Sequence, residues 1–295
     1  MNLEEFFSGL DHLFARKDFA AVENYLAHHL EAAINYGNTG YQLAVLNEQA
    51  GYYRNRSRFA QAFAACEQAM AIISAPEFSD PVSAATTMLN VATSLQAGGR
   101  VAEALEMYGT VEGIYAAALD ANDPRRAALY NNMAQACMSS GDKQTALEHL
   151  HRSLAILKTS RENCAELATT HSNIALLYLS LADNEAAATH LQAALSGFEA
   201  LGYDAPHYPA ALAAMAQLLH VKKDYAGAVE QYRLALAKTE ALCGHNANYA
   251  LICRNCARAC SMAGLWTEAG ELERKAEAIE YRLNSANAPV QTSIQ

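Results

Sequence analysis

Two series of alanines recur along the chain at a nearly constant spacing, and this repetition constrains the fold more than any other feature. Consecutive members of each series are 41 or 42 residues apart, and the two series stay in phase over six units. Such a period indicates an array of helical repeats, in which each unit buries its apolar face against its neighbours. The two series are Ala50, Ala92, Ala134, Ala175, Ala216 and Ala257, and Ala62, Ala104, Ala146, Ala187, Ala228 and Ala269.

The segment from residue 128 to residue 157 shows the pattern of a single repeat. Its first half carries apolar residues with the i, i+3, i+4, i+7 spacing of one helical face, at Tyr130, Met133, Ala134 and Cys137. A second amphipathic stripe begins at Ala146, after a break at Gly141. The small side chains of Ala134 and Ala146 predict that the two helices cross closely.

The pairing of small alanines across a turn resembles the tetratricopeptide repeat, whose usual unit is about 34 residues. Long units with asparagine in the first helix are most similar to the repeats of kinesin light chains and related bacterial proteins. The linkers fit this resemblance, with Asp123-Pro124 before one asparagine-bearing helix and Gly244-His245 before another. The resemblance implies an all-α, right-handed superhelical solenoid of about seven antiparallel helix pairs.

We expect residues 1–283 to form a single solenoid that begins with a degenerate repeat. In that first repeat, residues 1–36, Leu10 and Val22 stand where later repeats carry alanine. Larger side chains at these positions predict looser packing, as is usual for the terminal unit of a repeat array.

The last repeat, residues 247–283, is expected to cap the other end. Glu273 stands where earlier repeats place an apolar or cysteine side chain for stacking, so no further repeat should follow. Residues 284–295 have no periodic apolar pattern and are expected to form a disordered tail.

The composition narrows the classes of partner and compartment. A formal net charge of −10 argues against nucleic acid. No apolar run approaches the roughly 20 residues of a membrane span, and the acidic start at residues 1–7 lacks the basic region of a signal peptide. Seven cysteines, an odd number mostly at helical core positions, fit a reducing compartment. We therefore expect a cytoplasmic protein with no membrane and no nucleic-acid partner.

An asparagine stands two residues before the first-series alanine in four repeats, at Asn90, Asn132, Asn173 and Asn255. At about 100° per residue, Asn132 points about 150° away from the apolar stripe of its helix. In tetratricopeptide arrays this face lines the concave groove. In kinesin-light-chain-like repeats and in the peptide-pheromone receptors of Gram-positive bacteria, asparagines there hold the backbone of the ligand. An amide suits this role because it can pair with both the C=O and the N–H of an extended peptide.

Register extends the candidate groove beyond these four asparagines. We expect peptide-binding residues at Asn90, Asn131, Asn132, Gln135, Asn173, Gln217, His220, Arg254, Asn255 and Arg258, with Arg54 and Ser172 as further members of the same face. Two alternatives remain open for the amides: they can solvate an exposed helix face, or they can bond to the neighbouring repeat. Arg254 and Arg258 can grip a carboxylate or phosphate, or pair with acidic neighbours such as Glu277 and Glu280.

Other chemistry-bearing residues have a simpler interpretation. Cys253, Cys256 and Cys260 fall on three core positions of the repeat, so we interpret them as small buried side chains, not as metal ligands. His171 also occupies a core position and is interpreted as a hydrogen-bonded interior histidine. We find no phosphate-binding glycine loop, nucleophile elbow or paired carboxylates, and we expect no catalytic site, metal or cofactor.

The leading hypothesis is therefore a non-catalytic scaffold that binds an extended peptide or partner segment in the concave groove. The alternative is a regulatory receptor whose superhelix changes when it binds a peptide. A metal-binding or enzymatic protein is the third class, and stoichiometric metal would support it. Self-association is compatible with all three hypotheses.

Overall fold

The computed structural model describes residues 2–159, 163–202 and 205–287, and in these segments helices joined by turns and short loops are the regular secondary structure, with no strand. Fourteen helices follow one another within them as seven consecutive pairs, which confirms the predicted all-α solenoid. Each helix packs against the next, so that the pairs stack along the array. None of these helices combines the length and apolarity that crossing a lipid bilayer would require.

The seven pairs are as follows, with the first helix of each pair named first. They are α1 Leu3–Ala15 and α2 Phe19–Asn35; α3 Thr39–Asn55 and α4 Phe59–Ile73; α5 Pro81–Ala97 and α6 Val101–Ala118; α7 Pro124–Ser140 and α8 Lys143–Leu157; α9 Cys164–Ser180 and α10 Asn184–Ala200; α11 Tyr208–Val221 and α12 Tyr225–Cys243; and α13 Ala247–Met262 and α14 Trp266–Asn287.

The turn inside each pair is built the same way seven times. One residue has a left-handed backbone, with φ between 56° and 88°, and the second helix begins two residues later. In four of the turns an aspartate follows that residue, and its side chain caps the second helix by accepting a backbone N–H. Glycine supplies the left-handed residue at Gly141, where this conformation carries little steric cost.

The alanines of the two series are buried where the helices of a pair cross. All twelve are nearly or completely inaccessible to solvent. Larger side chains such as Tyr108, Leu150 and Leu191 fill the space between successive pairs and are fully buried as well. Close crossing of small residues and stacking of large ones explain why the period in the sequence survives so regularly.

The two ends of the array differ from its middle. At the N-terminus, α1 and α2 pack less closely than the helices of the other pairs. At the C-terminus, α14 continues through Asn287, so residues 284–287 are helical and do not belong to a disordered tail. The side chain of Asn287 is fixed by hydrogen bonds from its Nδ2 to the backbone oxygens of Leu283 and Ser57. The rest of the predicted tail, residues 288–295, lies outside the described residues.

The superhelix winds far enough for its second pair to contact its last pair. Asn246 Nδ2 donates to the Asn55 oxygen at 2.7 Å, and the Ala247 N–H donates to Ser57 Oγ at 3.0 Å. Asn287 Nδ2 also donates to the Ser57 oxygen, at 2.7 Å. We call this contact, between residues 55–60 on one side and residues 243–247 with Asn287 on the other, the clasp.

Candidate functional site

The first helices of the pairs line the inner, concave side of the solenoid. Each of them from α3 to α11 contacts the first helix of the next pair, whereas second helices of successive pairs make no comparable contact in the described residues. Elements on the inside of a curved stack lie closer together than those on the outside. The predicted site residues, all of which lie on first helices, therefore belong to the concave half of the molecule.

Asn131 and Asn173, two of the predicted peptide-binding residues, form a buried bridge between repeats. Asn131 is 7% exposed, and its Nδ2 donates to Ser153 Oγ at 2.9 Å and to Thr170 Oγ1 at 2.8 Å. Its Oδ1 accepts a hydrogen bond of 3.0 Å from Asn173 Nδ2, and Asn173 is itself 8% exposed. These hydrogen bonds tie α7 to α8 and α9, as expected from the alternative in which the amides bond to the neighbouring repeat.

The same arrangement occurs two repeats earlier. Asn90 Nδ2 donates to Asn47 Oδ1 at 3.1 Å, and Asn47 Nδ2 donates to Thr87 Oγ1 at 3.1 Å. Asn47 stands three residues before its alanine, as Asn131 does, and Asn90 stands two before, as Asn173 does. The Asn90 side chain therefore bonds to the neighbouring repeat, which is the alternative to ligand binding that the sequence leaves open.

The remaining predicted amides are different, because they keep unused hydrogen-bonding groups. Asn132 makes only a long contact of 3.4 Å to Thr93 Oγ1. The side-chain amides of Gln135, Gln217 and Asn255 have no hydrogen-bond partner within the described residues, and all three are partly or fully exposed. We call Asn132, Gln135, Gln217 and Asn255 the inner amide face.

The two C-terminal arginines of the predicted site differ in their ion pairs. Arg254 forms a two-pronged ion pair with Glu280, with Nε to Oε1 at 2.8 Å, and also approaches Glu273. Arg258, one turn later, is exposed and has no ion-pair partner in the described part of the chain. Its charge, after burial, helps to lower the pKa of the neighbouring His220. The neutral form of His220 is thereby favoured.

Two further members of the predicted face are largely enclosed. Arg54 Nη1 approaches Ser94 Oγ at 3.3 Å and the Asn90 oxygen at 3.5 Å, and burial lowers the pKa of its guanidinium. Ser172 is buried, and its Oγ finds no hydrogen-bond partner in the described structure. Both side chains point into packed protein, where a ligand backbone has little access.

Three cysteines and two histidines outside this face pack against other parts of the protein. Cys253, Cys256 and Cys260 are fully buried in the C-terminal core, which agrees with their interpretation as core packing. His171 Nδ1 lies 2.9 Å from His190 Nδ1, and burial lowers the pKa of both imidazoles. Among the described residues, no three His, Cys, Asp or Glu side chains are grouped to hold a metal ion.

Comparison with known proteins identifies the repeat. The family model described as the tetratricopeptide repeat matches residues 83–159 and 127–200. No curated protein matches the chain by sequence. Among solved structures, the chain is similar to the nearly identical TPR-like repeats of a Podospora anserina kinesin light chain, with 23% identity over 69% of this chain and 98% of that one, and a TM-score of 0.50.

Two peptide complexes share the fold over more of its length. NprR with its cognate peptide NprX is 15% identical over 95% of this chain and 82% of that one, with a TM-score of 0.61. A Rap protein complexed with Competence and Sporulation Factor is 15% identical over 95% of this chain and 75% of that one, with a TM-score of 0.64. At such identities the likeness concerns the fold alone.

Proposed function

Because the chain is a tetratricopeptide repeat protein, we propose that it is a non-catalytic interaction scaffold that binds an extended peptide or partner segment on its concave side. The observation that carries this proposal is the inner amide face. The buried amides of Asn131 and Asn173 are paired with each other. Amides left unpaired on the concave side are therefore available to the backbone of an extended chain.

The amides alone supply only part of the required affinity. Four of them, at about 1 kcal/mol for each hydrogen bond formed, give several kcal/mol. A micromolar complex requires about 8 kcal/mol, in addition to the cost of ordering the peptide. Side chains of the ligand must therefore supply the rest of the binding free energy. The surface next to the amides indicates which types of side chain can do so.

The first helix of the last pair, α13, carries a stripe of apolar, amide and basic side chains. Leu251, Asn255, Arg258 and Met262 follow one another at spacings of four, three and four residues, which places them on one helical face. Leu251 and Met262 are exposed apolar side chains on either side of the unpaired Arg258. We infer that the preferred ligand carries a carboxylate beside an apolar side chain at this end of the groove.

The test is selection of peptides on the wild-type protein from a random display library, followed by calorimetry with the best binders. We expect Asn132→Ala to weaken binding about five- to a hundredfold, since one or two hydrogen bonds are lost. Arg258→Ala should weaken binding of acidic peptides in a way that added salt diminishes. Gln144→Ala, which removes an exposed amide from a second helix, is the matched control and should leave affinity unchanged. Unchanged binding in an Asn132→Ala/Asn255→Ala double variant would show that this face is not the site.

A second candidate function, a peptide-responsive receptor, is favoured by the clasp. A ligand that fits the groove only when the second and last pairs separate would open the clasp. A ligand that binds better to a more compact superhelix would tighten the clasp. Small-angle scattering with and without a selected peptide distinguishes the two functions. A rigid scaffold keeps its radius of gyration, whereas a receptor of this kind changes it, and in Arg258→Ala the change should require a higher peptide concentration.

The proposal also carries the expectation of a reducing, cytoplasmic environment. None of the seven cysteines forms a disulfide bond, and five of them are buried. A chain that relies on buried thiols for packing is suited to a compartment in which thiols stay reduced.

A further inference from the structure

A second concavity, apart from the inner amide face, lies at the N-terminal end between α1, α2 and the start of α3. It has a volume of about 370 Å³, which is at the lower end of the range for small-molecule sites. Most of its wall is aromatic. We call it the aromatic pocket; its rings are Phe6, Tyr25, His28, His29, Tyr36 and Tyr41, and Glu5 lies at its edge.

The rings of the aromatic pocket are held in place by one another. Phe6 is fully buried and stacks on Tyr25, with centroids 5.8 Å apart and planes 10° apart. His29 packs against Tyr25 with centroids 4.2 Å apart. Tyr36 is the exception, because it is 81% exposed at the rim although its side chain is largely apolar. The floor is therefore preorganised, and Tyr36 is a wall with nothing packed on it.

Several of the polar atoms around the pocket are already used inside the protein. The Tyr25 hydroxyl donates to the Phe6 oxygen at 3.2 Å, and the Tyr41 hydroxyl bonds with His29 Nδ1 at 2.6 Å. Asn2 Oδ1 caps α1 by accepting the N–H of Glu4 at 2.9 Å. The exposed carboxylate of Glu5 remains. A ligand with N–H donors gives up hydrogen bonds to water on entering the pocket, whereas a cation without N–H donors gives up none.

The electrostatics of the pocket favour a positive charge. Ring faces attract cations through their quadrupole, and Glu5 adds a full negative charge. The C-terminal end of α2, which carries the negative end of the helix dipole, reaches the pocket at Tyr36, and its last turn holds no basic residue. Glu4 and Glu5 offset the opposite dipole end of α1. Burial, followed by the nearby His28, lowers the pKa of His29, so this ring is favoured in its neutral form.

We propose that the aromatic pocket binds a quaternary ammonium group. Such a group carries a positive charge and no N–H donors, so it gains from the ring faces and from Glu5 without leaving hydrogen bonds unmade. A primary ammonium carries the same charge but must first give up the water bonded to its N–H groups, so it gains less from the ring faces. The site is independent of the concave groove, because its residues belong to the first pair and the start of α3.

Choline is the probe, with two analogues as chemical controls. In calorimetry, choline should bind, whereas 3,3-dimethyl-1-butanol, which has the same shape without the charge, should not. Ethanolamine, which keeps the charge but carries N–H donors, should bind more weakly than choline. Blocked Nε-trimethyl-lysine distinguishes a modified side chain from a free choline-like molecule, and the better binder of the two identifies the source.

The variants test the wall and the charge separately. Tyr36→Ala removes an exposed ring with little effect on folding and should weaken choline binding about two- to fivefold. Tyr281→Ala removes a tyrosine of similar exposure, 77%, at the other end of the chain and should leave binding unchanged. Glu5→Gln should weaken binding and reduce its dependence on salt. Absence of choline binding, equal binding of the uncharged analogue, or an unaffected Tyr36→Ala variant would each overturn the proposal.

Discussion

Replacing Asn131 by alanine separates the structural role of an amide from a ligand-binding role. The Asn131 side chain makes three hydrogen bonds to other side chains, with Ser153, Thr170 and Asn173, at 2.8 to 3.0 Å. Each is worth about 1 kcal/mol net. Thr170 keeps its bond to the Glu166 oxygen, but the Asn173 amide loses its acceptor in a nearly inaccessible place.

These terms partly cancel against helix propensity. Alanine is favoured over asparagine in a helix by about 0.6 kcal/mol. We therefore expect Asn131→Ala to lower the free energy of unfolding by about 2–3 kcal/mol. For a chain of this size, that corresponds to a decrease of roughly 3–5 °C in the melting temperature.

The measurement is thermal and urea denaturation followed by circular dichroism, with Gln135→Ala as the control. Gln135 lies on the same helix and its amide bonds to no other described residue, so its removal should change stability by less than about 0.5 kcal/mol. Repeat arrays can open locally, so amide hydrogen exchange in α7 and α9 should accompany the melts. Equal stability of Asn131→Ala and wild type, with unchanged exchange, would refute the bridging role.

Three further predictions follow from the clasp, the thiols and the histidines. Asn246→Asp keeps the side-chain cap on α13 but removes the amide that donates to the Asn55 oxygen. Combined with Asn287→Ala, it should open the clasp and increase the radius of gyration in small-angle scattering. An unchanged radius of gyration would count against the clasp. Burial raises the pKa of the Cys253 thiol to about 11, so a thiol reagent should modify exposed Cys164 in the native protein and Cys253 only on unfolding. Burial lowers the pKa of His171 and His190, so the unfolded state binds more protons; stability should fall as pH drops below about 6.5, and less steeply in His190→Gln.

The sequence predicts the fold well because its period records packing. A helix crossing tolerates only small side chains, so the alanines mark every crossing, and the aspartate caps mark the starts of second helices. The position of Glu273 was interpreted as the end of stacking, but the helix that carries it runs four residues beyond the predicted boundary at 283. That extension depends on Asn287 bonding to Ser57, a contact across 230 residues that no local pattern reveals.

The division of the amides between structure and surface was missed, although a signal for it exists. Asn47 and Asn131 stand three residues before their alanines, with Thr87 and Thr170 at matching positions in the next repeat. Where this earlier asparagine is present, the asparagine of the following repeat is bonded to it. Asparagine recurs more often at the position two before alanine than at the position three before it, so the pairing between the two positions is hard to predict from the repeat pattern.

Asn132 escapes this pairing because the preceding repeat offers an apolar residue in place of the asparagine. Leu89 stands three residues before Ala92, where Asn47 and Asn131 stand in their repeats, and it cannot accept a hydrogen bond from Asn132. Ser172 shows the converse mismatch: the following repeat has Ala214 at the partner position, and the Ser172 hydroxyl is left without a bond.

Leu89→Asn, a change of shape close to isosteric, should therefore provide Asn132 with an acceptor and withdraw its amide from the concave side. We expect the affinity for selected peptides to fall about as far as in Asn132→Ala, while Asn132→Ala combined with Leu89→Asn should cause no further loss. The side-chain amide resonances of Asn132 report whether the new bond forms. If they show the bond and the peptide binds as tightly as before, Asn132 does not contact the ligand, and the groove must hold it through Gln217, Asn255 and Arg258 instead.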